Sequence, residues 1–183
     1  MCGIVGRIAQ KAGDDGRWIT EAVKSIRHRG PDGFGFSGSD GYTSFGPPAD
    51  VPSSHAVLLG HVRLSILDLS ERGRQPMISA DGRHALTYNG EVYNYRELRE
   101  SLEAEGVRFN GETDTEVVLA MLERFGCAAL PRFKGMFAFC WVDLVKREFT
   151  LVRDFFGIKP LYYTLHGGAV TFCSEQRQLL NLP

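Results

Sequence analysis

A cysteine stands one residue behind the initiator methionine, in Met1-Cys2-Gly3-Ile4-Val5-Gly6. Most cysteines are small buried hydrophobes and chain termini fray, so packing gives no reason for a thiol there. Chemistry does. Loss of Met1, which a small second residue generally permits, would give Cys2 a free α-amine with a reference pKa of about 7.7 to 8.0, close to working pH and suited to a general base. Activation by an N-terminal amine is one route to a nucleophile, and a cysteine deeper in the chain cannot use it.

Other polar residues sit badly with their surroundings. In "GHVRLSILDLS", Arg63 interrupts a run otherwise suited to a buried strand, and a buried arginine needs an anion. In "LTYNGEVYN", Asn89-Gly90-Glu91 fall inside another strand-like stretch, where glycine weakens the ladder and marks a bulge or a close approach of backbone to ligand. "GETDTEVVL" places Asp114 in the first turn of a helix. Each has a bland reading: Arg63 pairing with Asp68 on the surface, Asn89-Gly90 as a hairpin turn, Asp114 complementing the helix dipole. Together they match a free amino acid. An arginine fork binds a carboxylate, Glu91 and Asp114 would accept an ammonium, and an asparagine amide followed by a glycine N–H suits the oxyanion of a tetrahedral intermediate.

The elements that must position these groups are legible in outline. Gly3 to Ala9 reads as a strand, and "DDGRWITEAVKSIRHRG" as a helix with Trp18, Ala22, Val23 and Ile26 at helical spacing, stopped by Gly30-Pro31-Asp32-Gly33. "HAVLLGHVRLSIL" and "HALTYNGEVYNY" read as strands. Asn94 with Glu97, and Thr113 with Glu116, have the spacing of capping boxes at the starts of two helices. "MFAFCWVDL", "EFTLVRD", "PLYYTL" and "AVTFCSE" are four further strands separated by turns. In the first of these, Met136, Ala138, Cys140 and Val142 share one face and Phe137, Phe139 and Trp141 the other. A strand apolar on both faces needs a layer above and below, which implies a layered α+β sandwich.

At 183 residues, with 43 % hydrophobic and 23 % charged residues, the chain suits one globular domain. A net charge of −1 gives no general attraction to nucleic acid or an anionic membrane. No apolar run approaches the roughly 18 residues of a membrane span, and a signal peptide is not evident, so the expected location is cytoplasmic. The four cysteines and five histidines show no zinc-like spacing, so no metal is expected. Cys140 and Cys173 read as core thiols, which leaves Cys2 as the cysteine that packing does not explain.

The motifs "MCGIVG", "RHRGPDG", "GHVRLSILDLS", "QPM", "YNGEVYNY", "ETDTEVVL", "GMFAF", "RDFFGIKPLYY" and "FCSE" resemble, in order and spacing, the N-terminal glutaminase domain of asparagine synthetase B-type enzymes, the class II glutamine amidotransferases. The resemblance runs from Met1 to about Leu180. It implies an N-terminal-nucleophile hydrolase fold, a four-layer αββα sandwich of two antiparallel sheets, in which Cys2 attacks the side-chain amide of L-glutamine, releases ammonia and is freed from a thioester by water. It further implies that Arg63 holds the substrate carboxylate with Leu64, Ser65, Ile66 and Leu67 along the same wall. Asn89 and Gly90 would form the oxyanion hole, and Glu91 and Asp114 would receive the α-ammonium. Arg29 and the turn through Gly33 resemble a loop that closes over glutamine.

"RHRGPDG" favours the asparagine synthetase branch. Such enzymes continue into an ATP-dependent synthetase domain with a pyrophosphate loop, which is absent from this chain. The domain itself therefore implies no cofactor, ATP and Mg being expected only in the missing part. Its implied partners are L-glutamine and a synthetase domain or subunit that accepts ammonia, with a homodimer left open and neither nucleic acid nor membrane expected. An alternative is a non-catalytic glutamine-binding or assembly module. Gly33-Phe34-Gly35-Phe36-Ser37-Gly38 matches the dinucleotide pattern GxGxxG, but no helical period follows, so the match is read as chance.

Overall fold

The computed structural model describes residues 1–13, 16–46, 51, 55–65, 70–180 and 182. Alternation along the strands explains its layers. β1 (Gly3–Ala9) sends Ile4 and Ile8 to one side and Val5 to the other. It lies in a six-stranded antiparallel sheet with β2 (Gly33–Gly38), β3 (Thr43–Phe45), β4 (Val57–Arg63), β9 (Tyr162–His166) and β10 (Ala169–Cys173), in the order β3-β2-β4-β1-β10-β9. A second antiparallel sheet, β5-β6-β7-β8, comprises Met77–Ile78, His84–Val92, Gly135–Asp143 and Glu148–Arg153.

Three apolar layers hold the sheets and helices together. Trp18, Ile19, Ala22 and Val23 of α1 (Gly16–Ser25) pack on Val5, Phe36, Leu58 and Val62 of the first sheet. Between the sheets, Ile4, Val57, Leu59 and Phe172 meet Ala85, Ala138, Cys140 and Val142. Beyond the second sheet, Leu86, Tyr88, Phe137 and Phe139 bury Leu102 of α2 (Tyr95–Ala104) and Val117, Val118, Met121 and Leu122 of α3 (Asp114–Phe125). The arrangement is the αββα sandwich, and β7 divides its faces as its alternation predicts. Among the described residues no helix is long and apolar enough to cross a membrane.

Three local expectations are corrected. The α1 helix ends at Ser25 and a short 3-10 turn, Arg27–Arg29, precedes the Gly-Pro stop. Asn94 makes no cap bond; its Oδ1 accepts from Lys134 N at 2.9 Å and its Nδ2 donates to Arg132 O at 3.0 Å, tying the start of α2 to the segment before β7. At α3 half of the box exists: Thr113 Oγ1 accepts from Glu116 N at 3.3 Å, while the Glu116 carboxylate accepts from Asn110 N and Gly111 N, each at 2.8 Å. Sequence reading also missed β2, β3 and β5. The glycines of β2 lower its strand propensity, and the strand is fixed by its pairing with β4.

Candidate active site

Cys2 is partly buried just before β1, beside the end of β4. Its Sγ accepts from Leu64 N at 3.4 Å and lies 3.7 Å from Leu64 O. Its carbonyl accepts from Arg29 Nε at 3.1 Å, and Arg29 Nη1 reaches Glu175 Oε1 at 3.3 Å. Glu175 also takes His28 Nε2 at 2.8 Å and Arg177 Nε at 2.9 Å, so one carboxylate gathers three basic side chains behind the thiol. Burial raises the Cys2 pKa above its ordinary value, opposed by the Leu64 N–H and by the charges of the chain's N-terminus and Arg63. Its surroundings therefore favour the neutral thiol over the thiolate.

The cavity beside this sulfur has a volume of 280 Å³, the size of a small-metabolite pocket. Cys2, Arg63, Leu64, Ser65, Asn89, Gly90, Glu91 and Asp114 all line it, together with Met1. The structure thus brings together every site residue expected from sequence except Ile66 and Leu67, which lie outside the described residues, as does Asp68. A larger hollow of 580 Å³, walled by Ile8, Phe149, Leu165 and Val170, contains neither cysteine nor carboxylate among its described lining residues.

Each wall has a local cause. Arg63 Nη1 donates to Ser70 O at 2.8 Å, and a side chain at Gly73 would run into the Arg63 guanidinium, so glycine leaves it room. Ser65 N donates to Asp32 Oδ2 at 2.8 Å, and Asp32 N to Arg63 O at 3.0 Å, which docks the Gly30–Gly33 turn against the end of β4. Asn89-Gly90 is neither a hairpin turn nor a bulge: β6 pairs with β7 in unbroken register, Asn89 opposite Ala138 and Gly90 opposite Phe137. A Cβ at Gly90 would lie 2.6 Å from Met136 O, so the glycine permits close approach to β7. Asn89 is 1 % exposed, and its Nδ2 is buried with no hydrogen-bond partner among the described residues.

Asp114 opens α3 and is buried, its Oδ2 accepting Tyr88 OH at 2.6 Å and Val92 N at 3.0 Å. Burial raises its pKa against those hydrogen bonds. Tyr88 N in turn donates to Gln75 Oε1 at 2.7 Å, and Gln75 Nε2 to Thr115 Oγ1 at 3.3 Å. Sequence reading missed this support, and it missed Lys159, which lines the same cavity. Its signal, the "QPM" and "GIKPL" motifs, was visible but had no chemistry attached.

All four cysteines are free thiols. Cys140 and Cys173 are buried as expected, the latter's pKa pushed up to about 12 by burial. Cys127, however, is exposed, so Cys2 is not alone in escaping the core. Asp81, His84 and Glu123, distant from one another in sequence, bring ligand-type atoms within 4.8 Å of one another. Gly33–Gly38 forms β2 and opens no helix, in line with the chance reading of its GxGxxG pattern.

Comparison with known proteins adds the family. Residues 1–183 match the family described as glutamine amidotransferase domain. The chain is 42 % identical over 185 residues to a Bacillus subtilis protein named asparagine synthetase (glutamine-hydrolyzing) 1, covering 98 % of this chain and 27 % of that one. It is 34 % identical to a Gibberella zeae protein named amidase chry2, covering 98 % and 26 %. The chain spans about a quarter of the length of these curated relatives. A solved structure of a glutamine phosphoribosylpyrophosphate amidotransferase from B. subtilis superposes with a TM-score of 0.81 at 24 % identity, covering 97 % of this chain and 43 % of that one, and so shares the fold.

Proposed function

The chain belongs to the family of glutamine amidotransferase domains, and on that premise we propose that it hydrolyses the side-chain amide of L-glutamine with Cys2 as nucleophile. With Met1 removed, the α-amine takes the thiol proton, and the thiolate attacks the amide carbon. Asn89 Nδ2 and the Gly90 N–H donate to the oxyanion. The C–N bond breaks as the amine returns its proton to the leaving nitrogen, and ammonia departs. Water, giving a proton to the same amine, then cleaves the thioester, releasing glutamate and the thiol.

The observation that carries the reading is the orphaned amide of Asn89. A buried donor without an acceptor costs the fold about 1–3 kcal/mol, and a tetrahedral oxyanion in this cavity is the acceptor it lacks. The raised pKa of Asp114 agrees: a carboxylate penalised by burial is relieved by a ligand ammonium. Arg63 takes the α-carboxylate, Glu91 joins Asp114 on the ammonium, and Leu64 and Ser65 form the wall beside Cys2. Ile66 and Leu67 continue that wall in the reading from sequence.

The ammonia serves an amide transfer of the asparagine synthetase type, to aspartate or a related carboxylate, activated by a synthetase domain or subunit outside this chain. The names of the relatives support that acceptor class. ATP and Mg belong with the synthetase part, and four unpaired thiols suit the cytoplasm. Ammonia release from glutamine tests the reading: Cys2→Ala should abolish it and Cys140→Ala should retain it. Survival of the activity in Cys2→Ala would refute the assignment.

A further inference from the structure

Lys159 is a largely buried lysine whose ammonium opens to the cavity and meets no counter-charge among the described residues. The residue is 5 % exposed and lines the cavity that holds Cys2. Among the described residues its ammonium makes no hydrogen bond or ion pair. Lysines are almost never buried so fully unless paired, because the charge loses its hydration.

Its backbone, by contrast, is firmly held. Lys159 N donates to Asp154 Oδ2 at 2.9 Å, which also accepts Phe137 N at 3.2 Å, while Asp154 Oδ1 accepts Ile158 N at 2.9 Å. Arg153 Nε donates to Lys159 O at 2.8 Å. The loop after β8 therefore fixes the position of Lys159 and leaves the side chain to the cavity. The two cavity carboxylates do not neutralise it: neither Glu91 nor Asp114 forms an ion pair with it, and Asp114 is engaged by Tyr88 and Val92. Through Asp154 the backbone of Lys159 is tied to Phe137, the β7 partner of Gly90. Lys159 thus enters from the side that carries Asn89 and Gly90, whereas Arg63 comes from β4 in the other sheet.

We infer that Lys159 reads the charge at the side-chain end of the bound amino acid, favouring the carboxylate of glutamate over the amide of glutamine. The inference rests on the glutamine reading above. Glutamine is neutral at that carbon; the tetrahedral oxyanion and the product carboxylate are both anionic there, so a fixed ammonium favours each over the substrate ground state. Arg63 has no such preference, since the α-carboxylate is the same in substrate and product.

Calorimetric titration of glutamine and glutamate into the Cys2→Ala chain, with and without Lys159→Met, separates these roles. Loss of a charge-assisted hydrogen bond should weaken glutamate by about tenfold or more while moving glutamine by less than about threefold, and Lys159→Arg should restore most of the difference. Equal weakening of both ligands, or of neither, overturns the inference while leaving the glutamine reading in place. If neither amino acid binds the Cys2→Ala chain, the glutamine reading falls and takes the inference with it. A measurement that needs no substitution at Lys159 covers a variant that fails to fold: in ¹⁵N-lysine-labelled protein, the Lys159 ammonium resonance should shift with glutamate and stay in place with glutamine. An identical response to both ligands contradicts the assignment.

Discussion

Burial raises the Cys2 pKa, and the imidazole linked to it through Arg29 and Glu175, that of His28, is turned to Glu175. In the proposed reaction the base is therefore the α-amine of Cys2 rather than a histidine. Asn89 complements it, with a buried Nδ2 that has no hydrogen-bond partner among the described residues. If that donor is reserved for the oxyanion, its contribution appears in the transition state and not in substrate binding. Asn89→Ala should then lower kcat by about 100- to 1,000-fold with KM little changed. Steady-state kinetics on glutamine checks this, and a raised KM at unchanged kcat would move Asn89 to ground-state binding. Cys2, Arg63 and Asn89-Gly90-Glu91 stand out in the sequence because each sits badly with its surroundings, whereas Asp114, an acid in the first turn of a helix, gains meaning only beside them. Lys159 was not legible there, since a lysine before a proline in a loop violates nothing until the loop is seen to fold inward.

At the scale of elements, two side chains join the sheets behind the cavity. His61 of β4 donates from Nε2 to Tyr88 O of β6 at 3.1 Å, and Thr87 Oγ1 donates to Gly60 O at 3.3 Å. His61 is fully buried, and burial lowers its pKa from 6.5 to about 3. The unfolded chain then binds a proton below about pH 6.5 that the folded chain refuses until about pH 3, so stability is full above the former value and is lost as pH falls toward the latter. Between about pH 7 and about pH 5 His61 alone should cost about 2 kcal/mol. Urea unfolding at both pH values should show that loss in the parent chain and its absence in His61→Gln; an equal loss in both would remove His61 as the cause. Patterning could find β4 and β6 but not this link, which depends on how two strands from different sheets cross. The same limit applies to Asn94, whose capping spacing was sound but whose amide found stronger partners in residues 132–134.

Across the whole molecule, the αββα layers set the neighbours β1 and β4 of one sheet against β6 of the other, near the start of α3, so that residues 2, 63, 89 and 114 line one cavity. The layering was foreseeable from the two apolar faces of β7, whereas the order of strands within each sheet was not, because β2, β3 and β5 carry weak local signals. The proposed hydrolysis stands or falls on one sulfur. Mass spectrometry of the chain quenched during turnover with glutamine should find a single γ-glutamyl group on the peptide that begins at Cys2, confined to molecules that have lost Met1. Ammonia release accompanied by an adduct at Cys127, or by one on chains that still carry Met1, would contradict it.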